Sequence, residues 1–105
     1  MRERLLRILK EAKKMVGVNE NVRIVLCPMK RKIASISLRT RIIRLNKNVI
    51  PKLSDEVIRY LLVHELIHFK IKTLAHNSAF LEELERVYPT EKRQEIENQI
   101  IDFLF

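Results

Sequence analysis

Between Asp55 and Lys72 the chain carries Val57, Ile58, Leu61, Leu62, Val63, Leu66, Ile67, Phe69 and Ile71, with three ionisable residues, His64, Glu65 and His68, set into the apolar run. The apolar positions fall on more than one side of a helix, so the segment predicts a buried central helix around which the rest must pack. Ser54 is a natural N-cap, and Asp55 and Glu56 then sit at the positive end of the helix dipole. Residues i and i+4 share a helix face, which brings both imidazoles within reach of one metal ion with Glu65 beside them. A His-Glu-x-x-His run in this setting points to a zinc-dependent hydrolase, and burial would serve it by excluding water and fixing the histidine rotamers.

Zinc in hydrolases takes three protein ligands and leaves the fourth position to water. His76 is the leading candidate for the third, since the loop 69–75 can reverse and bring it back over the helix; Glu82, Glu83 and Glu85 are the competing candidates. His76 is favoured because a neutral imidazole needs no further charge compensation and because all three histidines of the chain would then serve one ion. Glu65 is the expected general base, taking a proton from metal-bound water as it attacks a carbonyl carbon and passing it to the leaving amine. Tyr88 or Tyr60 could supply a phenol to the developing oxyanion, although Tyr60, one turn before His64, also suits the core. The bland alternative keeps the histidines as satisfied core residues and pairs the glutamate with a lysine.

On either side of this helix the pattern is that of a small α+β domain. Leu5, Leu6, Leu9, Ala12 and Val16 lie near helical spacing, and Gly17 is a natural stop, which predicts a helix backing a sheet. Three β-rich runs follow, Val22 to Cys27, Ile33 to Leu38 and Ile42 to Asn46, with alternating apolar residues; the Arg39 to Arg41 link is short enough for a hairpin. Pro51 ends this region. Asn77 or Ser78 starts a helix through about Val87, and Thr90 caps a last one whose Ile96, Ile100, Phe103 and Leu104 form one stripe. The 105 residues are read as a single domain.

Cys27 is the only cysteine and reads as a small strand hydrophobe; with no disulfide framework, a reducing, cytoplasmic setting is expected. The N-terminal segment alternates charged and apolar residues unlike a signal peptide, and the longest apolar stretch is too short to span a bilayer, so no membrane association is expected. The net charge of +8 is lopsided: residues 1–52 hold 15 basic and 3 acidic side chains, residues 53–105 hold 6 and 10. Without stacking aromatics or a zinc ribbon, the basic half reads as a solvated face that attracts the acidic half, and nucleic-acid binding is not expected. Two other function classes remain beside the hydrolase: a nucleic-acid-associated protein using the basic half, for example a protease acting on DNA-bound proteins, and a non-catalytic, zinc-stabilised interaction module.

The segments Ile43-Arg44-Leu45-Asn46, Pro51, Tyr60 to His68, and His76-Asn77-Ser78-Ala79-Phe80 together resemble small gluzincin-like metallopeptidases and their SprT-like and YgjP-like relatives, above all the minigluzincins. The resemblance covers most of the chain. In that group a histidine replaces the third-ligand glutamate of most gluzincins, which maps onto His76. It implies a minimal zincin fold: an N-terminal backing helix, a small three-stranded mixed sheet, the active-site helix and C-terminal helices across a cleft. It also implies that Ile33 to Leu38 forms the cleft rim, along which a peptide or protein substrate would bind by strand addition.

An ending of Phe103-Leu104-Phe105 is an apolar tip that something must cover. Ordinary packing on the core is one solution. The sharper expectation, in line with minigluzincins occurring as latent forms, is that residues 90–105 obstruct the cleft as a zymogen segment. They would do so within the chain or in a homodimer through helix exchange, with Glu91, Glu95, Glu97 and Asp102 meeting the basic half.

Overall fold

A computed structural model describes residues 1–101. Its elements are α1 (Arg2–Val16), β1 (Arg23–Cys27), β2 (Ala34–Ser37), β3 (Ile42–Asn46), a 3-10 turn (Ile50–Lys52), α2 (Asp55–Ile71), α3 (Ser78–Val87) and α4 (Thr90–Gln99). The three strands form a mixed sheet in the order β1-β3-β2. β1 runs parallel to β3 with Ile24 opposite Ile43, and β2 runs antiparallel to β3 with Ile36 opposite the same residue. The central strand buries Ile43 and Leu45 completely, and both outer strands have a free edge within this sheet.

α2 is the hub. Ser54 caps it by accepting from the Val57 N–H, and eleven of its seventeen residues are buried between α1, the sheet and α3. Leu5, Ile8, Leu9, Ala12 and Val16 form the buried stripe of α1, and Gly17 ends that helix at φ 87°, a conformation that a Cβ would strain. Leu6, expected on the inner face, points outward because it stands about 100° round the helix from Leu5.

Ion pairs join the two halves of the chain. Asp55, in the first turn of α2, accepts from Arg4 at 2.6 Å and Arg7 at 2.7 Å, and Arg59 pairs with Glu11. Asp55 is held below the usual carboxylate range by its hydrogen bonds from Arg7 and Arg4. Further along, Lys70 and Arg86 both pair with Glu83 while donating to the Val16 carbonyl at the end of α1, which ties three helices at one point. Hydrogen bonds from Arg86 and Lys70 lower the Glu83 carboxyl in the same way.

Three expectations need correction. The run Val22 to Cys27 alternates less cleanly than its sequence, with Val22, just before β1, buried but Leu26 38% exposed, because an outer strand is covered on fewer sides. Thr90 does not cap α4: Pro89 occupies that position, and the Thr90 hydroxyl donates to Glu85 at 2.8 Å instead. Of the acids expected to meet the basic half, Glu97 bonds to Tyr60 and Glu95 lies near Lys92, while Lys92 reaches Glu56 of α2. Ile96 and Ile100 are buried as expected. The apolar tip and Asp102 lie outside the described residues. No helix among those described is long and apolar enough to cross a membrane.

Candidate metal centre

His64 and His68 stand one turn apart on α2, their ring centroids 4.9 Å from each other. After α2 the chain reverses at Lys72, whose φ of 59° is left-handed, and returns His76 over the helix, 5.1 Å from the His64 ring and 4.9 Å from the His68 ring. One ligand nitrogen from each of the three imidazoles lies within 4.8 Å of the other two. Asn77 then caps α3 by accepting from the Phe80 N–H at 3.0 Å, and this start of the helix sets Phe80 against all three rings. Phe80 stacks on His68 at 4.4 Å and meets His76 at 4.7 Å and His64 at 4.9 Å.

Hydrogen bonds choose which nitrogens remain free. His68 Nδ1–H donates to the Thr73 carbonyl at 2.9 Å, so its Nε2 keeps a lone pair, and that Nε2 lies 3.1 Å from Nε2 of His76. Two nitrogens in a tetrahedral zinc shell are about 3.3 Å apart. His64 Nδ1–H donates to Glu65 Oε2 at 3.1 Å and holds that buried carboxylate beside the group. Burial pushes the His68 and His76 imidazoles below their usual 6.5, reinforced by the nearby His64 and, for His68, opposed by the bond to Thr73. Neutral imidazoles at this spacing are what a divalent cation requires, and the donor set fits zinc.

The site lies in a cleft of about 450 Å³. One wall is β2 with the preceding Arg31, Lys32 and Ile33, the floor is α2, and the far side carries Leu74, Glu97 and Ile100. The competing glutamates do not join the group: Glu83 pairs with Lys70 and Arg86, Glu85 accepts from Thr90, and Glu82 is exposed. Nor does Glu65 pair with a lysine among the described residues. Of the two tyrosines, Tyr60 lines the cleft, with its hydroxyl bonded to Glu97 and its ionisation raised by burial and by that carboxylate. Tyr88 stands edge-on to Tyr60 at 5.2 Å, and burial pushes it up to about 12.

Four participants were not singled out from the sequence. Thr73 acts through its carbonyl, which leaves no trace in residue type. Phe80 stood in the motif but its role needs the α3 crossing. Glu97 looked like one of several surface acids. Asn46 is a buried amide that donates to the carbonyls of Met29 and Lys32 at 2.9 and 3.0 Å and accepts from the Asn48 N–H. Its signals were its place in the Ile43-Arg44-Leu45-Asn46 segment and its polarity at the end of an apolar strand, neither of which names its partners.

The chain matches the family described as the YgjP-like metallopeptidase domain over residues 1–98. It is 43% identical over 89 residues to an uncharacterized protein of Methanocaldococcus jannaschii, covering 85% of this chain and 81% of the relative. It is 46% identical over 84 residues to an uncharacterized protein of Aquifex aeolicus, covering 80% and 76%. Among solved structures, the metallopeptidase zymogen of Methanocaldococcus jannaschii jannalysin superimposes with a TM-score of 0.87 at 40% identity, covering 96% of this chain and 90% of that one. The metallopeptidase zymogen of Pyrococcus abyssi abylysin does so with 0.85 at 36% identity, covering 93% and 92%.

Proposed function

The chain belongs to the YgjP-like metallopeptidase family, and from that premise we propose that it is a zinc-dependent endopeptidase held latent by its C-terminal segment. His64, His68 and His76 are the metal ligands in this reading and Glu65 is the general base. The observation that carries it is the convergence of three imidazoles and one buried carboxylate in a cleft walled by an open strand.

Zinc at the three nitrogens supplies a Lewis acid that activates water and polarises a carbonyl. Glu65 takes the proton from the attacking water and carries it to the leaving amine, and the His64 Nδ1–H bond keeps its carboxylate turned to the site. The Thr73 carbonyl and the Phe80 ring hold the imidazoles in one orientation, so the ligand set is arranged before substrate arrives.

β2 suits an extended peptide. The Asn46 N–H donates to the Ile33 carbonyl, which fixes the phase of the β2-β3 ladder and turns the main-chain groups of Ala34 and Ile36 away from β3. A peptide adding there would be held mainly through its backbone, a mode suited to internal bonds.

Latency rests on how α4 sits. Ile96 and Ile100 are buried, Tyr60 bonds to Glu97, Lys92 pairs with Glu56, and Glu97 and Ile100 line the cleft. Residues 90–100 therefore narrow the space a peptide would need. That abylysin and jannalysin were solved as zymogens supports the same arrangement.

The test is hydrolysis of an unstructured protein by the zinc-loaded chain and by Glu65→Gln, with zinc content measured on both. The full chain is expected to cleave slowly and Glu97→Gln, which loosens α4, faster, and adding Glu65→Gln to either should abolish cleavage at unchanged zinc content. Activity that survives the substitution, or a full chain that binds no zinc, would remove the assignment.

A further inference from the structure

The cleft wall is unevenly charged. Arg31 and Lys32 line it at the approach to β2, and neither makes an ion pair with any described carboxylate. The carboxylates that line the cleft are already engaged, Glu65 by His64 and Glu97 by Tyr60. These two basic residues are not on a loose loop either. Asn46, buried at the end of β3, anchors the segment before β2 by donating to the Met29 and Lys32 carbonyls. The chain thus commits a buried amide to presenting cationic side chains at one end of an edge strand.

We infer that Arg31 and Lys32 select peptides carrying an acidic side chain, with Asn46 as the positioning residue that presents them. This rests on the peptidase reading above and names its substrate class. Antiparallel pairing is the more stable mode of strand addition, and it lays the C-terminal end of a bound peptide against the start of β2. The acidic residue therefore belongs toward the C-terminal end of the bound segment, beyond the residues opposite Ala34 and Ile36. Pairs of this kind are partly solvated, so the preference is moderate, about fivefold in kcat/KM, and it weakens with salt.

The experiment uses the zinc-loaded full chain, with and without Glu97→Gln to loosen α4, and a set of short peptides, blocked at both ends, that differ only in Glu or Gln at each successive position. Cleavage is read by mass spectrometry, and binding to Glu65→Gln by amide shifts of Lys32 to Ile36. Glu is expected to be favoured at C-terminal positions, the ratio to fall toward one in Arg31→Gln/Lys32→Gln, and Arg31→Glu/Lys32→Glu to reverse it. Lys13→Gln/Lys14→Gln removes the same charge from α1 and should keep the ratio. Zinc-dependent cleavage with equal rates for Glu and Gln peptides, or a ratio untouched by the rim substitutions, overturns the inference and leaves the peptidase reading standing. Peptides that zinc-loaded Glu97→Gln, with α4 loosened, neither binds nor cleaves overturn both.

Discussion

The Tyr60 hydroxyl donates to the Glu97 carboxylate at 2.5 Å, joining α2 to α4 at the edge of the metal cleft. A hydrogen bond to a charged group contributes about 1.5–3 kcal/mol. Removing the charge of Glu97 weakens this bond and should shift α4, which is otherwise held by the buried Ile96 and Ile100 and by the Lys92–Glu56 pair, toward the open position. Glu97→Gln is expected to raise peptide turnover of the zinc-loaded chain by about tenfold or more. Equal turnover in a folded, zinc-loaded variant would show that this bond does not restrain α4.

His76 reaches the site from a loop, and its removal leaves two imidazoles on α2. His76→Ala should weaken zinc binding by more than about 100-fold, since even the loss of a supporting hydrogen bond costs 10- to 100-fold. Competition with a chromophoric chelator reads the affinity directly. Zinc present at 100 times its dissociation constant should stabilise the parent chain by about 2.7 kcal/mol, and chelation should lower its melting temperature accordingly. A variant that binds as tightly as the parent would exclude His76 as a ligand.

Phe80 is buried against all three imidazoles. Phe80→Ala is expected to cost about 3–5 kcal/mol in denaturant unfolding. Phe80→Leu, which fills much of the space without the flat ring, should retain most of that stability and still bind zinc more weakly than the parent. If its affinity matches the parent's, the ring acts only as packing.

Acid should loosen the helical core through Glu83 and Asp55. Hydrogen bonds from Arg86 and Lys70 lower the Glu83 value from 4.5, and those from Arg7 and Arg4 lower that of Asp55 from 3.8. Both folded values lie below the unfolded ones, so the unfolded chain binds more protons in this range. The stabilisation is complete above the unfolded values and disappears as pH falls through the depressed folded ones. Melting temperature should therefore drop more steeply below about pH 5 in the parent than in Glu83→Gln. Parallel curves would mean that the junction at Val16 does not depend on this carboxylate.

Much of the fold was legible because the signals were local. Ser54 and Gly17 mark helix ends by chemistry that acts within one turn, and the alternation of Ile43 and Leu45 announced a strand buried on its inner face. The meeting of His64 and His68 was legible because i, i+4 spacing on α2 brings two imidazoles to one face by helix geometry alone. What escaped depends on meetings between distant segments. Nothing near Glu97 in sequence says that it will face Tyr60, and nothing near Asn46 says that Met29 and Lys32 will turn their carbonyls toward it. Thr90 misled because a threonine before a helix resembles a cap, whereas Glu85, one helix earlier, competes for its hydroxyl.

Lys72 makes the reversal after α2 in a left-handed conformation where a glycine would be unstrained, its N–H on the His68 and Phe69 carbonyls and its ammonium 3.5 Å from the centre of the Phe69 ring. A glycine at that point would let the following arm explore many directions. With lysine, the course of residues 73–76 is chosen while the chain folds, and the entropy of bringing the third imidazole home is lost at that stage. In the metal-site reading proposed above, an arriving cation would meet a triangle of nitrogens whose size is already set. Discrimination among cations then depends on fit to a fixed aperture, since the protein has little freedom to close around a misfit.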